Sequence, residues 1–267
     1  MNTPLAYCED QGDRLLVVNA NSAKRNALSP EYYAVVLDAM SLAASESRIT
    51  SVILHGDGGF FCAGGDLRFL ASRRELPRSE RLNKIDDLHD VVRAIVTCPK
   101  PVIASIAGGA AGAGVSVAFA CDLQIAEDDA SFTVAYVNAG LVPDGGLTAT
   151  LSAQLPRSFV MRMALLGEPV SATQLHAAGA ITQLVAAGQT LDSAQKLCDK
   201  LSSGPSATQG VIKALINGSH ATTLAAQLDA ERDAMADAMA SPEAGEGISA
   251  FLQKRAADFK QFRDPVQ

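Results

Sequence analysis

Asp144 is the one carboxylic acid in the stretch AYVNAGLVPDGGLT, residues 135–148, where it sits in a turn between apolar segments. A carboxylate there has two uses. It can cap the short helix expected for GGLTATLSAQL, which Pro156 ends, because aspartate ranks among the best N-cap residues. Alternatively it can take up and return a proton, if a substrate carbon comes within reach. The residues alone favour the cap. Two glycine-bearing turns supply the other half of a possible reaction. In FFCAGGDLRFL, residues 60–70, Gly64 and Gly65 let the backbone approach a ligand closely before a short helix begins. In AGGAAGAGVSVAFA, the turn through Gly112, Ala113 and Gly114 leaves free N–H groups at the start of a helix, where the dipole also favours negative charge. Together the two turns suit an oxygen that gains charge during a reaction, although either alone reads equally well as tight packing.

The elements that must position these groups alternate between strand and helix. RLLVVNA (14–20), TSVILHG (50–56) and PVIASIAG (101–108) read as strands, separated by helices near 30–46 and 79–97. AGVSVAFA is apolar on all sides, as expected of a helix buried on every face, and DLQIAE follows as another strand. This is an α/β pattern without a true repeat. From about Leu191 onward the chain turns helical, and Leu224, Leu228, Met235 and Met239 recur at intervals of four, seven and four as one apolar seam. That seam needs a cover, from the chain's own core or from another subunit. Ser241 and Pro242 open a last helix.

Composition narrows the possible partners. A chain of 267 residues, 48% hydrophobic, buries a large core. Its net charge of -7 repels a phosphate backbone, so nucleic acid is not expected. The run from Pro101 to Cys121 is uncharged and long enough for a membrane span, but Pro101 and four glycines interrupt it and Ala rather than Leu dominates. A buried strand, a turn and a buried helix explain it better, and no membrane association is expected. Five scattered cysteines without a C-x-x-C pair, and an N-terminus lacking the basic start and apolar run of a signal peptide, point to a cytoplasmic protein. His55, His89, His176 and His220 show no metal-ligand spacing, and Glu127, Asp128 and Asp129 read as a solvated strand end.

Taken in order, FCAGGDL, PVIASIAGGAAGAGVSVAFACDLQIA, ASF and GLVPDGG closely resemble the enoyl-CoA hydratase/isomerase family, the crotonase superfamily. The likeness runs from SAKRNALSPEYY to EGISAFLQKRAADF, nearly the whole chain. It implies a crotonase-type spiral of β-β-α turns over residues 1–195 and a helical C-terminal region, 196–267, that trimerises, giving a homotrimer or a dimer of trimers. It also implies an acyl-CoA substrate from fatty or aromatic acid catabolism, with coenzyme A carried by that substrate and no other cofactor or metal. The family's two amides that hold the thioester oxygen correspond to Gly65 and Ala113. Lys24 and Arg25 would meet coenzyme A phosphates. Ala63, Asp66, Ser116 and Tyr136 would line the substrate, although Asp66 is more often a helix cap. Phe251 and Lys254 would reach the adenine or a phosphate across a subunit boundary.

Departures from the family pattern bear on the reaction. Its hydratases place one Glu after the glycine turn and a second some twenty residues later; Ser116 and Tyr136 stand there in this chain. A tyrosine with a pKa near ~10 is mostly protonated at neutral pH, so hydration by the two-Glu route is not expected. GAGVS with GLVPDGGL is similar to the branch containing ring-epoxide phenylacetyl-CoA isomerases, in which the matching Asp shuttles a proton. That resemblance reverses the balance for Asp144, with Leu141 and Val142 expected to wall an apolar pocket around it. Enoyl-CoA hydratase and a non-catalytic acyl-CoA binder stand as alternatives. Two other classes fit less well. Gly108–Gly114 satisfies the phosphate turn of short-chain dehydrogenases but lies past residue 100 with no Tyr-x-x-x-Lys after it. GVSVA imitates a hydrolase nucleophile elbow at Ser116 but ends in Ala118.

Overall fold

A computed structural model describes residues 4–263. The chain opens with a hairpin, β1 (Ala6–Asp10) antiparallel to β2 (Arg14–Asn19), and then winds through α1 (Pro30–Ser45), β3 (Ser51–Gly56), α2 (Leu67–Arg73), α3 (Arg78–Thr97) and β4 (Val102–Ile106). There follow β5 (Gly109–Ala111), α4 (Ala113–Ala120), β6 (Leu123–Glu127) and β7 (Ser131–Thr133), then α5 (Leu147–Gln154), α6 (Arg157–Leu166), β8 (Val170–Ser171), α7 (Ala172–Ala177) and β9 (Gln183–Val185). Four helices finish it: α8 (Thr190–Ser202), α9 (Ser206–Ser219), α10 (Leu224–Met239) and α11 (Pro242–Leu252). The strands make a six-stranded sheet ordered β1-β2-β3-β4-β6-β9, parallel beyond the first pair, and a small sheet β5-β7-β8.

Parallel strands covered on both faces explain the unbroken apolar runs in the sequence. All six residues of β2 and all five of β4 are buried. On one face Leu15, Val17, Val52, Leu54 and Ala104 pack with residues of α1, α3 and α4; on the other, Leu16, Val18, Ile53, Ile103 and Ile125 meet Ala194 and Cys198 of α8. The division expected at 195/196 thus falls inside α8, a helix that packs on the sheet, and the helices that leave the sheet begin with α9. The uncharged run Pro101–Cys121 becomes β4, β5 and α4, and no helix among the described residues is long and apolar enough to cross a membrane. α4 is buried at all eight residues, as its all-round apolar sequence requires.

Several expectations are corrected by tertiary contacts. Glu127 is buried rather than solvated: its two carboxylate oxygens accept from the amides of Gly108 (2.6 Å) and Gly188 (2.7 Å), holding two loops, while Asp128 and Asp129 are exposed. The seam of Leu224, Leu228, Met235 and Met239 is 57–75% exposed, so the chain's own core does not cover it. The strands of the small sheet are too short, at two or three residues, to show a pattern, and β1 is an edge strand with only Ala6 buried, so it shows no alternation. Ser241 caps α11 as expected, accepting from Ala244 N at 3.1 Å with Pro242 in the first turn.

Candidate active site

The two glycine turns lie side by side because short stretches before them pair as parallel strands. Cys62 bridges Ala110 in parallel register, and the Ala111 amide donates to the Cys62 carbonyl at 2.9 Å. Three residues further along each stretch come Gly65 and Ala113. Leu28 N donates to Gly64 O (2.8 Å), Ala63 N to Arg25 O (3.0 Å) and Gly112 N to Thr133 O (2.9 Å), so each turn is held from outside. Gly64 has a left-handed φ of 84°, and a Cβ there would lie 2.5 Å from Ala111 O and 2.9 Å from Ala113 N. Only glycine permits this closeness. Ala113 is the first residue of α4, so its N–H is one of the helix's orphan donors. No hydrogen bond found among the described residues uses the amide of Gly65 or Ala113. Two unengaged N–H groups, one at the positive end of a buried helix, form a place for a developing negative charge.

One helical turn beyond Ala113, Ser116 is fully buried and donates to the Asp144 carbonyl oxygen at 2.9 Å. The Tyr136 hydroxyl lies 3.1 Å from Ser116 Oγ and donates to Asp144 Oδ1 at 2.7 Å. Burial first, and the neighbouring Asp144 charge second, push the Tyr136 phenol well above its ordinary range, so it remains a donor. No bond found among the described residues engages Asp144 Oδ2. Asp144 does not cap a helix: α5 begins after Gly146, without a side-chain cap, and Asp144 contributes only its carbonyl, 3.3 Å from Leu147 N. Gly145, at φ 61°, allows the turn to press on α4, because a Cβ there would lie 2.9 Å from Ser116 Cβ. Leu141 and Val142 do not wall the carboxylate as expected; both are exposed, Val142 at 81%. Leu88 and Val92 of α3 also reach the 145–146 turn.

The remaining expected residues divide. Asp66 caps α2 through Arg68 N (2.8 Å) and pairs with Lys24 at 2.8 Å, so the cap is its structural role, and Lys24 stands beside the Gly65 turn. Arg25 stacks on Phe60, its guanidinium carbon 3.9 Å from the ring centroid. Ala63 adjoins Gly64. Phe251, 83% exposed, and exposed Lys254 sit at the end of α11, outside the Ser116, Tyr136 and Asp144 cluster. Tyr33 of α1 was not singled out from sequence; its phenol is raised by burial above all, with Cys62 next and the Asp144 charge adding a smaller part. No periodicity or motif marks it. Among the described residues no group of three or more His, Cys, Asp or Glu could hold a metal ion.

The profile of the enoyl-CoA hydratase/isomerase family matches residues 12–263. The chain belongs to this family. It is 35% identical to the 1,2-epoxyphenylacetyl-CoA isomerase of Escherichia coli over 92% of this chain and 94% of that one, and 33% identical to the 2,3-dehydroadipyl-CoA hydratase of the same organism over 92% and 95%. Among solved structures, an enoyl-CoA hydratase from Polaromonas sp. JS666 superposes with a TM-score of 0.91 at 38% identity, over 94% of this chain and 98% of that one. The crotonase fold and an enzymatic nature follow. Within the enoyl-CoA hydratase/isomerase family, an isomerase and a hydratase stand at nearly equal identity, so identity alone does not separate the two reactions. The dehydrogenase and hydrolase alternatives fall away on the family match and on the local geometry. The Gly108–Gly114 run is interrupted by β5, which pairs with β7, and the Ser116 hydroxyl is spent on Asp144.

Proposed function

We propose that this chain isomerises an acyl-CoA thioester, moving a double bond or opening a ring without adding water. The thioester oxygen accepts from the amides of Gly65 and Ala113, and the enolate formed when a neighbouring C–H is lost shares its charge with both donors. One such donor typically contributes about 3 kcal/mol to lowering the barrier. Asp144 takes the proton from one carbon and returns it to another. The observation that carries this reading is the Asp144 carboxylate, its turn tied to Ser116 one helical turn beyond Ala113 and its Oδ2 engaged by no bond found among the described residues, where Ser116 and Tyr136 stand at the positions of the hydratases' two glutamates. Lys24 and Arg25 supply local positive charge for coenzyme A on a chain of net charge -7. Ala63 and Asp66 flank the thioester beside them. The bare seam of α10 and exposed Phe251 and Lys254 support a trimer in which the last two contact the ligand of a neighbouring subunit.

Asparagine at 144 preserves shape and hydrogen bonding but accepts no proton as a base. A panel of enoyl- and arylacetyl-CoA thioesters in heavy water, with Asp144→Asn beside the wild type, tests the assignment. Double-bond migration or ring opening by the wild type, lost in the variant with acyl-CoA binding retained, is the expected result. Turnover of the variant at the wild-type rate would refute it. Water addition would make the enzyme a hydratase, and binding without turnover an acyl-CoA binder.

A further inference from the structure

Asp144 lies in a turn that no helix stiffens, since α5 starts three residues later. A carboxylate on such a turn rotates freely about its side-chain bonds unless something holds it. Counting protons in the cluster identifies what does. The Asp144 carbonyl can only accept, so at 2.9 Å the Ser116 hydroxyl spends its single proton there. Ser116 Oγ is then left as an acceptor. The Tyr136 phenol has one proton and two neighbours, Ser116 Oγ at 3.1 Å and Asp144 Oδ1 at 2.7 Å. The shorter contact, to a carboxylate, wins because charge-assisted bonds are the stronger ones. Oδ1 is thereby tied, and Oδ2 stays unengaged.

We propose that Tyr136 is a positioning residue whose hydroxyl fixes the Asp144 carboxylate with Oδ2 presented to the substrate, while Ser116 holds the Asp144 main chain through its carbonyl. The proposal rests on the role assigned to Asp144 above. Tyr136 is itself held on both sides. It sits in a 3-10 turn, Ala135–Ala139, closed by Leu141 N donating to Tyr136 O at 3.0 Å, and Asn138 Nδ2 ties that turn to Gly167 O at 3.1 Å. Ser116 is fixed within fully buried α4. Burial and the adjacent Asp144 charge keep the phenol protonated, so this donor does not titrate away at neutral pH. The protonated phenol is therefore no base toward the substrate, and the pair at 116 and 136 acts on Asp144. It aims the carboxylate that serves as the base.

Tyr136→Phe, Asp144→Asn and the double variant are compared for kcat, KM and acyl-CoA binding on an enoyl-CoA that the wild type isomerises. Loss of the bond lets Oδ2 wander by about 1 Å, so kcat of Tyr136→Phe is expected to fall roughly 10- to 100-fold with KM within about twofold. Adding Tyr136→Phe to Asp144→Asn is expected to cost nothing more. A Tyr136→Phe enzyme that binds normally and retains wild-type kcat, or one whose defect multiplies with that of Asp144→Asn, overturns the inference. Should Tyr136→Phe fail to fold, Ser116→Ala takes its place, with a loss of about threefold in kcat at unchanged KM expected and wild-type kcat overturning. Wild-type turnover by Asp144→Asn instead refutes the role of Asp144 itself, a distinguishable result. If Asp144→Asn has no residual rate, the kcat and KM of Tyr136→Phe decide.

Discussion

Replacing Gly64 by alanine drives a wedge between the two amide-bearing turns. The added Cβ would stand 2.5 Å from Ala111 O and 2.9 Å from Ala113 N, where ordinary contact starts at 3.4 Å, so one turn must retreat by about 0.9 Å. Neither neighbour is a flexible side chain that could swing aside; both are backbone. Overpacking of this kind costs about 1–3 kcal/mol, and holding alanine at φ 84° adds about 1–2. A domain with a stability of about 5–15 kcal/mol survives that, so the variant folds. Catalysis suffers separately. A donor displaced by about 0.9 Å from a hydrogen-bonding distance of ~2.9 Å no longer bonds effectively, and losing one oxyanion donor reduces kcat about 100- to 1,000-fold. Gly179→Ala is the control: its φ of 89° imposes the same backbone strain, but its Cβ meets nothing within 4 Å. Urea unfolding and enoyl-CoA turnover, measured on both variants, separate strain from displacement. Both should lose stability, and only Gly64→Ala should lose activity. A Gly64→Ala enzyme that is destabilised yet within about threefold of wild-type kcat would mean that the Gly65 and Ala113 amides do not hold the reacting oxygen.

Two other perturbations address the framework. Lys213 of α9 pairs with Asp122 at 2.7 Å and donates to the carbonyls of Ile95 (2.9 Å) and Lys100 (3.1 Å); burial raises the Asp122 carboxyl despite that partner. Lys213→Met should cost about 3–5 kcal/mol in urea unfolding, with most recovered by adding Asp122→Asn; a loss under about 1 kcal/mol contradicts the pairing. Near the C-terminus, Arg255 first and the Asp258 amide second hold the Glu246 carboxyl down, from 4.5 to about 2. A depressed carboxylate stabilises above its unfolded value, so the tether is complete above 4.5 and is lost as pH falls toward 2. Relative to Glu246→Gln, pepsin cleavage near Phe259 should be slower at about pH 5 and equal near pH 2, whereas a constant ratio would exclude the linkage.

Much of the architecture is legible in local pattern. β2, β3, β4, β6, α1, α3 and α4 lie within a residue or two of their expected bounds, because apolar runs and periodicity report burial directly. The strands β5, β7, β8 and β9, of two or three residues, carry too few for a period to show, and β1 is an edge strand in which only Ala6 is buried. Glu127 looked solvated because three consecutive acids usually are, and only two loop amides from distant positions explain its burial. The cap that the residues alone favour for Asp144 does not form, because Gly145 and Gly146 intervene before the helix starts.

The order of the two glycine turns, the lone acid between apolar segments and the serine and tyrosine spaced twenty apart were all written in the sequence, as was the family they indicate. What only the tertiary structure decided is how they meet. The Cys62–Ala110 bridge sets the Gly65 and Ala113 amides side by side across 48 residues, and the pressure of the Gly145 turn on α4 brings Asp144 under the Tyr136 hydroxyl. Sequence periodicity encodes which face of an element is buried, a property of near neighbours. Contacts between separate elements depend on how whole elements pack, and no local pattern carries that information.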